Sequence, residues 1–265
     1  MNKQMKKTKN SFFAKFLFFI SLFSFITAIS ILGLDWYKSK QALDEANQQS
    51  EIAIKEIRSK SEKSDSLAQQ ELGKQLVDAL KKTYKNDNVV ALIEGKILPS
   101  AYPIVYPRNQ KEDDYWLHHE INKKEWSKYG TLFMDRYSRS DFGSWNTTIF
   151  GHRMKNELMF GNFKYFEHQA SFDKAKKEGK TRFKITSAQG THYYEIMAVR
   201  ITKLYDRRFF PNDLNEKWLK QQVEKSQIKI DFPDKAMKAK HYITLSTCTE
   251  ATGPMRTVLI LYQVD

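Results

Sequence analysis

Short runs of apolar and β-branched residues follow one another from about residue 88 to the C-terminus, and they constrain the fold more than any other feature. Each run is long enough for one strand, and residues 188–190 (Ala-Gln-Gly) form a plausible tight turn between two of them. Eight such runs with few long helices predict a mainly β domain, either a barrel or a sandwich. The runs cover residues 89–93, 103–106, 131–135, 146–151, 182–187, 191–205, 242–248 and 257–264.

Helical patterns occupy three places outside these runs. Apolar residues recur at a spacing of four in one stretch: Leu72, Leu76, Leu80 and Tyr84. This spacing predicts a helix over about 66–85 that packs on the domain from its N-terminal side. Two helical insertions are predicted between strands, one at about 160–178 and one at about 212–226, the second with Asn212 as its cap.

The longest uncharged run lies near the N-terminus, where residues 16–34 read FLFFISLFSFITAISILGL. At a rise of ~1.5 Å per residue, a helix of this length spans roughly 28 Å, close to the hydrocarbon core of a bilayer. Residues 1–15 contain five lysines and no acidic residue, which predicts an uncleaved signal anchor with a cytoplasmic N-terminus. A cleaved signal peptide is the alternative, but its apolar region would be shorter and small residues would follow it, unlike Asp35 and Trp36.

The segment after the apolar run, residues 35–65, mixes charged, amide and small side chains with few apolar positions. This composition is typical of a solvated extracellular stalk; a coiled coil with a partner is the alternative, although the apolar stripe is thin. The predicted organisation is a cytoplasmic basic segment (1–15), a transmembrane anchor (16–34), the stalk and an extracellular domain (66–265). We therefore predict a single-pass protein of the cell membrane.

Composition excludes several classes of function. A single cysteine cannot form an intramolecular disulfide or a cysteine-rich metal site. The sequence also contains no glycine-rich nucleotide loop, zinc-protease motif or serine-hydrolase motif. The net charge of +13 could indicate nucleic acid, but aromatic-interleaved RNA motifs and zinc-finger spacing are absent. Anionic lipids and anionic wall polymers are the more natural partners, and no nucleic-acid partner is predicted.

The stretch TLSTCTEATGPMR (244–256) holds Cys248 at the end of one predicted strand and Arg256 at the start of the next. The thiolate is the nucleophilic form of cysteine, and a neighbouring arginine can approach the sulfur or a substrate oxyanion. A leaving amine must also be protonated, and His152, at the end of another run, is the candidate acid. Taken alone, a cysteine in a strand is more often a small buried hydrophobe, and a lone histidine is more often structural.

The chain order of these residues separates the alternatives. A papain-like or amidase-type cysteine hydrolase places its cysteine before its histidine, at the start of a helix, and this chain has the order His152, Cys248, Arg256. A non-catalytic wall-binding module stays open, because it explains the anchor, stalk and β domain without Cys248. The other histidines have no metal-site spacing, and the pair His118-His119 is predicted to be a surface or strand-edge feature.

Two segments resemble the signature segments of sortases. One is TLSTC (244–248) with Arg256 eight residues after the cysteine, and the other is NTTIFGHRMKNELMFGNFKYF (146–166) around His152. The GH-x-M-x-x-x-x-MFG spacing in the second segment resembles class B sortases in particular. The resemblance extends over about 88–265, together with the anchor and stalk.

Further features match class B members. Their N-terminal helical extension corresponds to residues 66–85, and their helix before the cysteine strand corresponds to residues 212–226. LFMD (132–135) and DYWLHH (114–119) complete the pattern. The resemblance implies a closed eight-stranded sortase-type β-barrel with an N-terminal helical extension, so that residues 66–265 form the catalytic domain.

The resemblance also implies an activity, that of a cysteine transpeptidase. Cys248 would attack a C-terminal sorting signal similar to NP-x-TN and form a thioacyl intermediate. His152 would protonate the leaving amine and deprotonate the incoming one, while Arg256 would position the substrate carbonyl or stabilise the oxyanion. Leu117, Ser246 and Glu250 match positions that contact substrate in the family, although ordinary packing explains these three equally well.

The implied partners follow from this chemistry. The donors are surface proteins that carry a sorting signal, and the acceptor is an amine of a peptidoglycan precursor. In class B members that assemble pili, the acceptor is an amine of a pilin subunit instead. The membrane is a partner through residues 16–34, and the resemblance implies no cofactor and no metal.

Overall fold

The structure is a computed structural model, which describes most of the chain after residue 65 and part of the N-terminal region. The described residues are 13, 15–31, 33–34, 37, 41, 66–108, 110, 114–122, 126–203, 210–248 and 254–264. The chain divides into two units, Met1–Gln49 and Ser50–Asp265.

In the N-terminal unit, residues 15–31 form a helix whose side chains are almost all exposed. Within the described residues, no helix combines the length and the apolar character that crossing a membrane requires. The predicted basic segment (1–15) and stalk (35–65) lie outside the described residues, apart from single positions.

In the described part of the second unit, eight strands close into a barrel, which confirms the barrel and excludes the sandwich. Around the barrel the strands follow the order β1-β2-β3-β4-β7-β8-β6-β5. In chain order they are β1 (Val89–Gly95), β2 (Tyr102–Val105), β3 (Leu132–Met134), β4 (Asn146–Phe150), β5 (Arg182–Ser187), β6 (Gly190–Lys203), β7 (Tyr242–Cys248) and β8 (Met255–Gln263). Each strand overlaps one of the eight runs in the sequence.

Two of the strand pairings are parallel, β2 with β3 and β4 with β7, and the other six are antiparallel. A parallel pair requires a long crossover, and between β4 and β7 the chain builds β5 and β6 on the far side of the barrel. Because β4 and β7 run parallel, their C-terminal ends lie at the same end of the barrel.

Successive side chains along β7 and β8 point alternately to the interior and to the outer face of the barrel. Ile243 and Leu245 point into the barrel core, where they pack with Leu259 and Leu261 of β8. Val258 and Ile260, which alternate with these leucines along β8, join a second apolar cluster on the outside of the barrel. The outer cluster also contains Phe210, Trp218, Tyr242 and Tyr262.

The predicted N-terminal helix is confirmed as α1 (Ser66–Tyr84), which buries Leu76, Leu80 and Tyr84 beside β1. The helix passes close to the β5–β6 hairpin, because a Cβ at Gly73 would overlap the carbonyl oxygen of Ser187. Glycine is therefore required at this contact.

The first helical insertion is two helices instead of one, a 3₁₀ helix (Gly161–Phe166) followed by α2 (Gln169–Lys177). The reason lies in the spacing of Phe160, Phe163 and Phe166, which are all fully buried. Side chains three residues apart line up in a 3₁₀ helix, so this geometry directs all three rings into the barrel core.

The second insertion is α3 (Glu216–Glu224), and the prediction of Asn212 as its cap is wrong. Asn215 is the cap, because its side-chain oxygen accepts a hydrogen bond of 2.9 Å from the amide of Trp218. The side chain of Asn212 instead donates to the hydroxyl of Ser138 at 2.9 Å, which holds the chain against the segment before β4.

Candidate active site

The parallel pairing of β4 and β7 brings His152 and Cys248 to the same end of the barrel. The last residues paired in register are Phe150 and Ser246, and the Gly151 amide donates a further hydrogen bond of 3.2 Å to the Ser246 carbonyl. His152 and Cys248 each follow this last pair by two residues. The two predicted residues therefore leave neighbouring strands side by side, although 96 positions separate them in the sequence.

Arg256 lies at the same end of the barrel, on β8, which pairs with the edge of β7 opposite to β4. In the antiparallel pairing of β7 and β8, Cys248 lies directly opposite Arg256. Directly opposite residues point to the same face, with Cβ atoms about 4.5–5.5 Å apart. Alternation from Tyr242 along β7, and from Tyr262 along β8, places both side chains on the outer face of the barrel. The thiol is partly exposed and forms no disulfide.

His152 is partly buried, and its surroundings favour the neutral imidazole. Loss of hydration lowers the pKa of His152, because burial penalises the imidazolium. A hydrogen bond from the ring to the Leu117 carbonyl acts in the opposite direction, and the nearby charge of His118 lowers the pKa further. The Nε2 atom is buried and has no hydrogen-bond partner among the residues that the structure describes. This nitrogen is therefore available for a proton that moves during a reaction.

The histidine pair His118-His119 lies beside His152. The predicted strand-edge position holds for His119, which forms an isolated β-bridge with Trp126, and both histidines are partly buried. The His118 ring centroid lies 5.6 Å from that of His152, and His119 stacks on Tyr115 at 3.8 Å. His118 is thus a second imidazole at the site, and its position directly after Leu117 in the aromatic run was the available signal.

The structure places two of the three predicted substrate contacts. Leu117 belongs to a 3₁₀ helix (Tyr115–His118) beside Trp116 and is partly buried. Ser246 is fully buried, and its hydroxyl has no hydrogen-bond partner within the described part of the chain. Glu250 lies outside the described residues.

Close approach of the backbone shapes the surroundings of His152. Gly130 has a φ of +58° and lies so near the Leu117 carbonyl that a Cβ would overlap it. A Cβ at Gly151 would overlap a methyl group of Leu132. Both glycines therefore let the backbone pack tightly around the groups that hold the imidazole.

Sequence reasoning missed three polar residues next to the site. Glu167, which follows the 3₁₀ helix Gly161–Phe166, forms an ion pair of 2.5 Å with Arg153 and accepts a hydrogen bond from Thr257. Their spacing in the sequence gives no signal, because 90 positions separate Glu167 from Thr257.

The fold and the site together define a class: closed eight-stranded β-barrels with a cysteine, an arginine and a histidine at one end of three adjacent strands. The family model described as "Sortase domain" matches residues 114–263, a range that includes all three of these side chains. The chain belongs to the sortase family.

Individual relatives agree with this family. Sortase B of Listeria monocytogenes is 32% identical over 155 residues, a match that covers 56% of this chain and 57% of the relative. The X-ray structure of Clostridium perfringens sortase B has a TM-score of 0.60 and 25% identity, and covers 70% of this chain and 100% of its own. A Streptococcus pyogenes class B sortase involved in pilus biogenesis has a TM-score of 0.55 and 23% identity, with coverages of 68% and 93%.

Proposed function

We propose that this protein is a cysteine transpeptidase of the class B sortase type, which cleaves a C-terminal sorting signal and transfers the protein to an amine. The observation that carries the proposal is the strand register, in which Cys248 lies opposite Arg256 and His152 leaves the neighbouring parallel strand at the same end. A thiol, a fixed cation and a titratable imidazole are the groups that acyl transfer from an amide requires.

In the first step, neutral His152 takes the proton of the Cys248 thiol. The lowered pKa of His152 supports this role, because the neutral ring is the form that can accept a proton. The thiolate then attacks the carbonyl carbon of the threonine in an NP-x-TN-like signal. A carbon–sulfur bond forms, and the carbonyl oxygen becomes an oxyanion that Arg256 stabilises.

The oxyanion then collapses, the carbon–nitrogen bond breaks, and His152 gives its proton to the departing amine. The threonine remains attached to Cys248 as a thioacyl intermediate. An incoming amine attacks this carbonyl carbon, His152 removes the proton from the attacking nitrogen, and the carbon–sulfur bond breaks. Cys248 leaves as a thiolate and takes its proton back from His152, so a new amide is formed and the enzyme is restored.

We propose Leu117, Ser246 and Glu250 as contacts for the sorting peptide. The buried, unpartnered hydroxyl of Ser246 supports this assignment, because it lies two residues before the nucleophile on the same face of β7. The Leu117 side chain belongs to the 3₁₀ helix whose backbone accepts the hydrogen bond of His152. A peptide on this surface would therefore lie near all three catalytic groups.

We also propose that residues 16–34 anchor the protein in the cell membrane, with the N-terminus in the cytoplasm and residues 66–265 outside the cell. The support is the uncharged sequence of this run and the five lysines before it. In this position the catalytic domain faces the cell wall, where sorting-signal proteins emerge from the membrane.

The acceptor is an amine of a peptidoglycan precursor or, as a second candidate, an amine of a pilin subunit. The second candidate is kept because a class B sortase involved in pilus biogenesis shares this fold. The two are distinguished by incubating the protein with an NP-x-TN peptide and either a wall-type amino-acid amine or a lysine-containing pilin peptide. Ligation to either amine supports the transpeptidase, and no cleavage with any acceptor contradicts it.

A further inference from the structure

One largely buried carboxylate, that of Glu167, joins the segment that carries His152 to the segment that carries Arg256. The Glu167 Oε1 atom accepts a hydrogen bond of 2.5 Å from Arg153 Nη1 and another of 2.5 Å from the Thr257 hydroxyl. The side chains of Arg153 and Glu167 are only 17% and 11% exposed, and Thr257 is fully buried.

The two partners of Glu167 are the chain neighbours of two candidate catalytic residues. Arg153 directly follows His152, and Thr257 directly follows Arg256. Alternation along β8 places Thr257 on the interior face of the barrel, with Leu259 and Leu261, while Arg256 points outward. The contacts of Glu167 are thus with the chain neighbours of catalytic candidates and not with the candidates themselves, which fits a role in positioning.

The third catalytic residue is connected through the strand register. Thr247, which directly precedes Cys248, lies opposite Thr257 in the pairing of β7 and β8. The carboxylate thus joins the segments of the imidazole and the guanidinium directly, and the segment of the thiol is joined to them through the pairing of β7 with β8.

The segment around His152 needs such a contact because it has little regular structure of its own. Between the end of β4 and the 3₁₀ helix at Gly161, the described regular pairing is a single bridge, Arg153 with Met159. Hydrogen bonds between charged groups are short and directional, and a largely buried ion pair is weak evidence for stability, so we assign this pair a role in geometry. The ion pair thus gives this loop the fixed position that β7 and β8 obtain from their ladder.

We propose that Glu167 is a positioning residue that fixes His152 relative to Arg256, on either side of Cys248. The proposal rests on the transpeptidase function proposed above. Because Glu167 acts on the alignment of catalytic groups and not on peptide binding, its loss affects kcat and leaves KM nearly unchanged. A displacement of ~1 Å in a catalytic group can cost ~10²-fold in rate.

The test uses Glu167→Gln in the full-length protein in detergent, with cleavage of an NP-x-TN peptide as the assay. The amide keeps the shape of the side chain and removes its charge. We expect kcat to fall roughly tenfold to a hundredfold, with KM within about twofold of the wild type. The matched control is Glu157→Gln in the same segment, because Glu157 pairs with Lys164 at 2.9 Å on the surface. The control should keep the wild-type kcat.

A second pair of variants keeps the test informative if Glu167→Gln does not fold. Thr257→Val removes one hydroxyl and leaves the ion pair in place, so kcat should fall roughly threefold to tenfold, the value of one hydrogen bond. Thr257→Ser restores the hydroxyl and should recover most of this loss. Wild-type kcat in Thr257→Val, or a loss that Thr257→Ser does not recover, overturns the proposal.

Amide hydrogen exchange of residues 151–160 gives a measurement that does not depend on turnover. Exchange there should be faster in Glu167→Gln than in the wild type and unchanged in Glu157→Gln. Unchanged exchange in Glu167→Gln overturns the positioning role whatever the activity. If the wild type cleaves no sorting peptide, the proposed function fails, and the exchange result still decides whether Glu167 holds this segment.

Discussion

Cys248 and Arg256 lie directly opposite each other in the antiparallel pair formed by β7 and β8, and both point to the outer face of the barrel. The backbone pairing of β7 with β8 therefore sets the thiol and the guanidinium side by side. Arg256 also lies opposite Thr202 of β6, which holds its strand on both edges. The position of this cation is therefore a property of the ladder, and its chemistry can be tested by substitution.

Arg256→Lys keeps the charge and removes the planar fork of the guanidinium. Loss of one well-placed oxyanion donor costs ~10²–10³ in rate, so we expect kcat/KM to fall roughly tenfold to a thousandfold. Stability should change little, because both side chains have a long aliphatic stem. Peptide cleavage and a thermal melt measure the two effects separately. Near-wild-type turnover removes Arg256 from the mechanism, and equal losses of activity and of folded protein make it structural.

Cys248→Ala should leave a folded protein that cleaves no sorting peptide. The thiol is only partly buried, so the change in the free energy of unfolding should be less than about 1 kcal/mol. The measurement is peptide cleavage beside a denaturant melt of wild type and variant. Turnover in the folded variant would exclude a thioacyl mechanism, because the chain contains no other thiol.

His118→Gln should raise the pKa of His152, because the charge of His118 contributes to its lowering. Burial still opposes the imidazolium, so part of the lowering should remain. The pKa is measured by NMR titration of the His152 ring, with His192→Gln as the control, since His192 bonds Gln263 at the opposite end of β6. A His152 pKa that does not move in His118→Gln would contradict the interaction between the two rings.

The lowered pKa of His152 also predicts how stability depends on pH. In the unfolded chain the histidine binds its proton near pH 6.5, whereas in the folded chain it does so only at lower pH. Between these two values the unfolded state binds more protons, so stability falls as the pH decreases through this window. Denaturant melts at a series of pH values give the free energy of unfolding as a function of pH, and below pH 6.5 this free energy should fall more steeply in the wild type than in His152→Gln. If the free energy of unfolding depended on pH in the same way in both proteins, the effect of burial on the pKa of His152 would be contradicted.

Gly130→Ala should disturb the hydrogen bond that orients His152. The new Cβ would overlap the Leu117 carbonyl, which accepts that bond, and the φ of +58° adds strain of about 1–2 kcal/mol. Gly179→Ala is the matched control: its φ is +67°, but its Cβ would meet only a lysine tip at 3.6 Å. Both variants should lose stability, and only Gly130→Ala should also lose kcat beyond the unfolded fraction. Equal kcat in the two variants contradicts this role of the Leu117 carbonyl.

A truncated protein that starts at residue 38 should stay in solution without detergent. Residues 16–34 are the only long uncharged run, and everything after them is rich in charge. The measurement is partitioning between membrane and soluble fractions, and mass spectrometry of the N-terminus of the native protein tests whether the run is cleaved. Membrane association of the truncated protein would contradict a single anchor.

The strands were predictable because each one alternates or concentrates β-branched residues locally, and the end of β7 at Cys248 agrees with the sequence. The cap at Asn215 could not be predicted, because asparagine at position 212 is an equally good cap residue. Only the contact of Asn212 with Ser138 decides between the two. The contact of Glu167 with Thr257 was also not predictable, since the two residues are 90 positions apart in the sequence. Local preference is therefore visible in the sequence, whereas contacts across the barrel are not.

The thioacyl bond on Cys248 tests the central claim most directly. The protein is incubated with an NP-x-TN peptide without an amine acceptor, quenched in acid, digested, and analysed by mass spectrometry. The account predicts that the peptide spanning Cys248 gains the mass of the substrate up to its threonine, and that an added amine removes this adduct and yields the ligated product. Peptide cleavage without any adduct on Cys248, or an adduct that amines do not resolve, would contradict it.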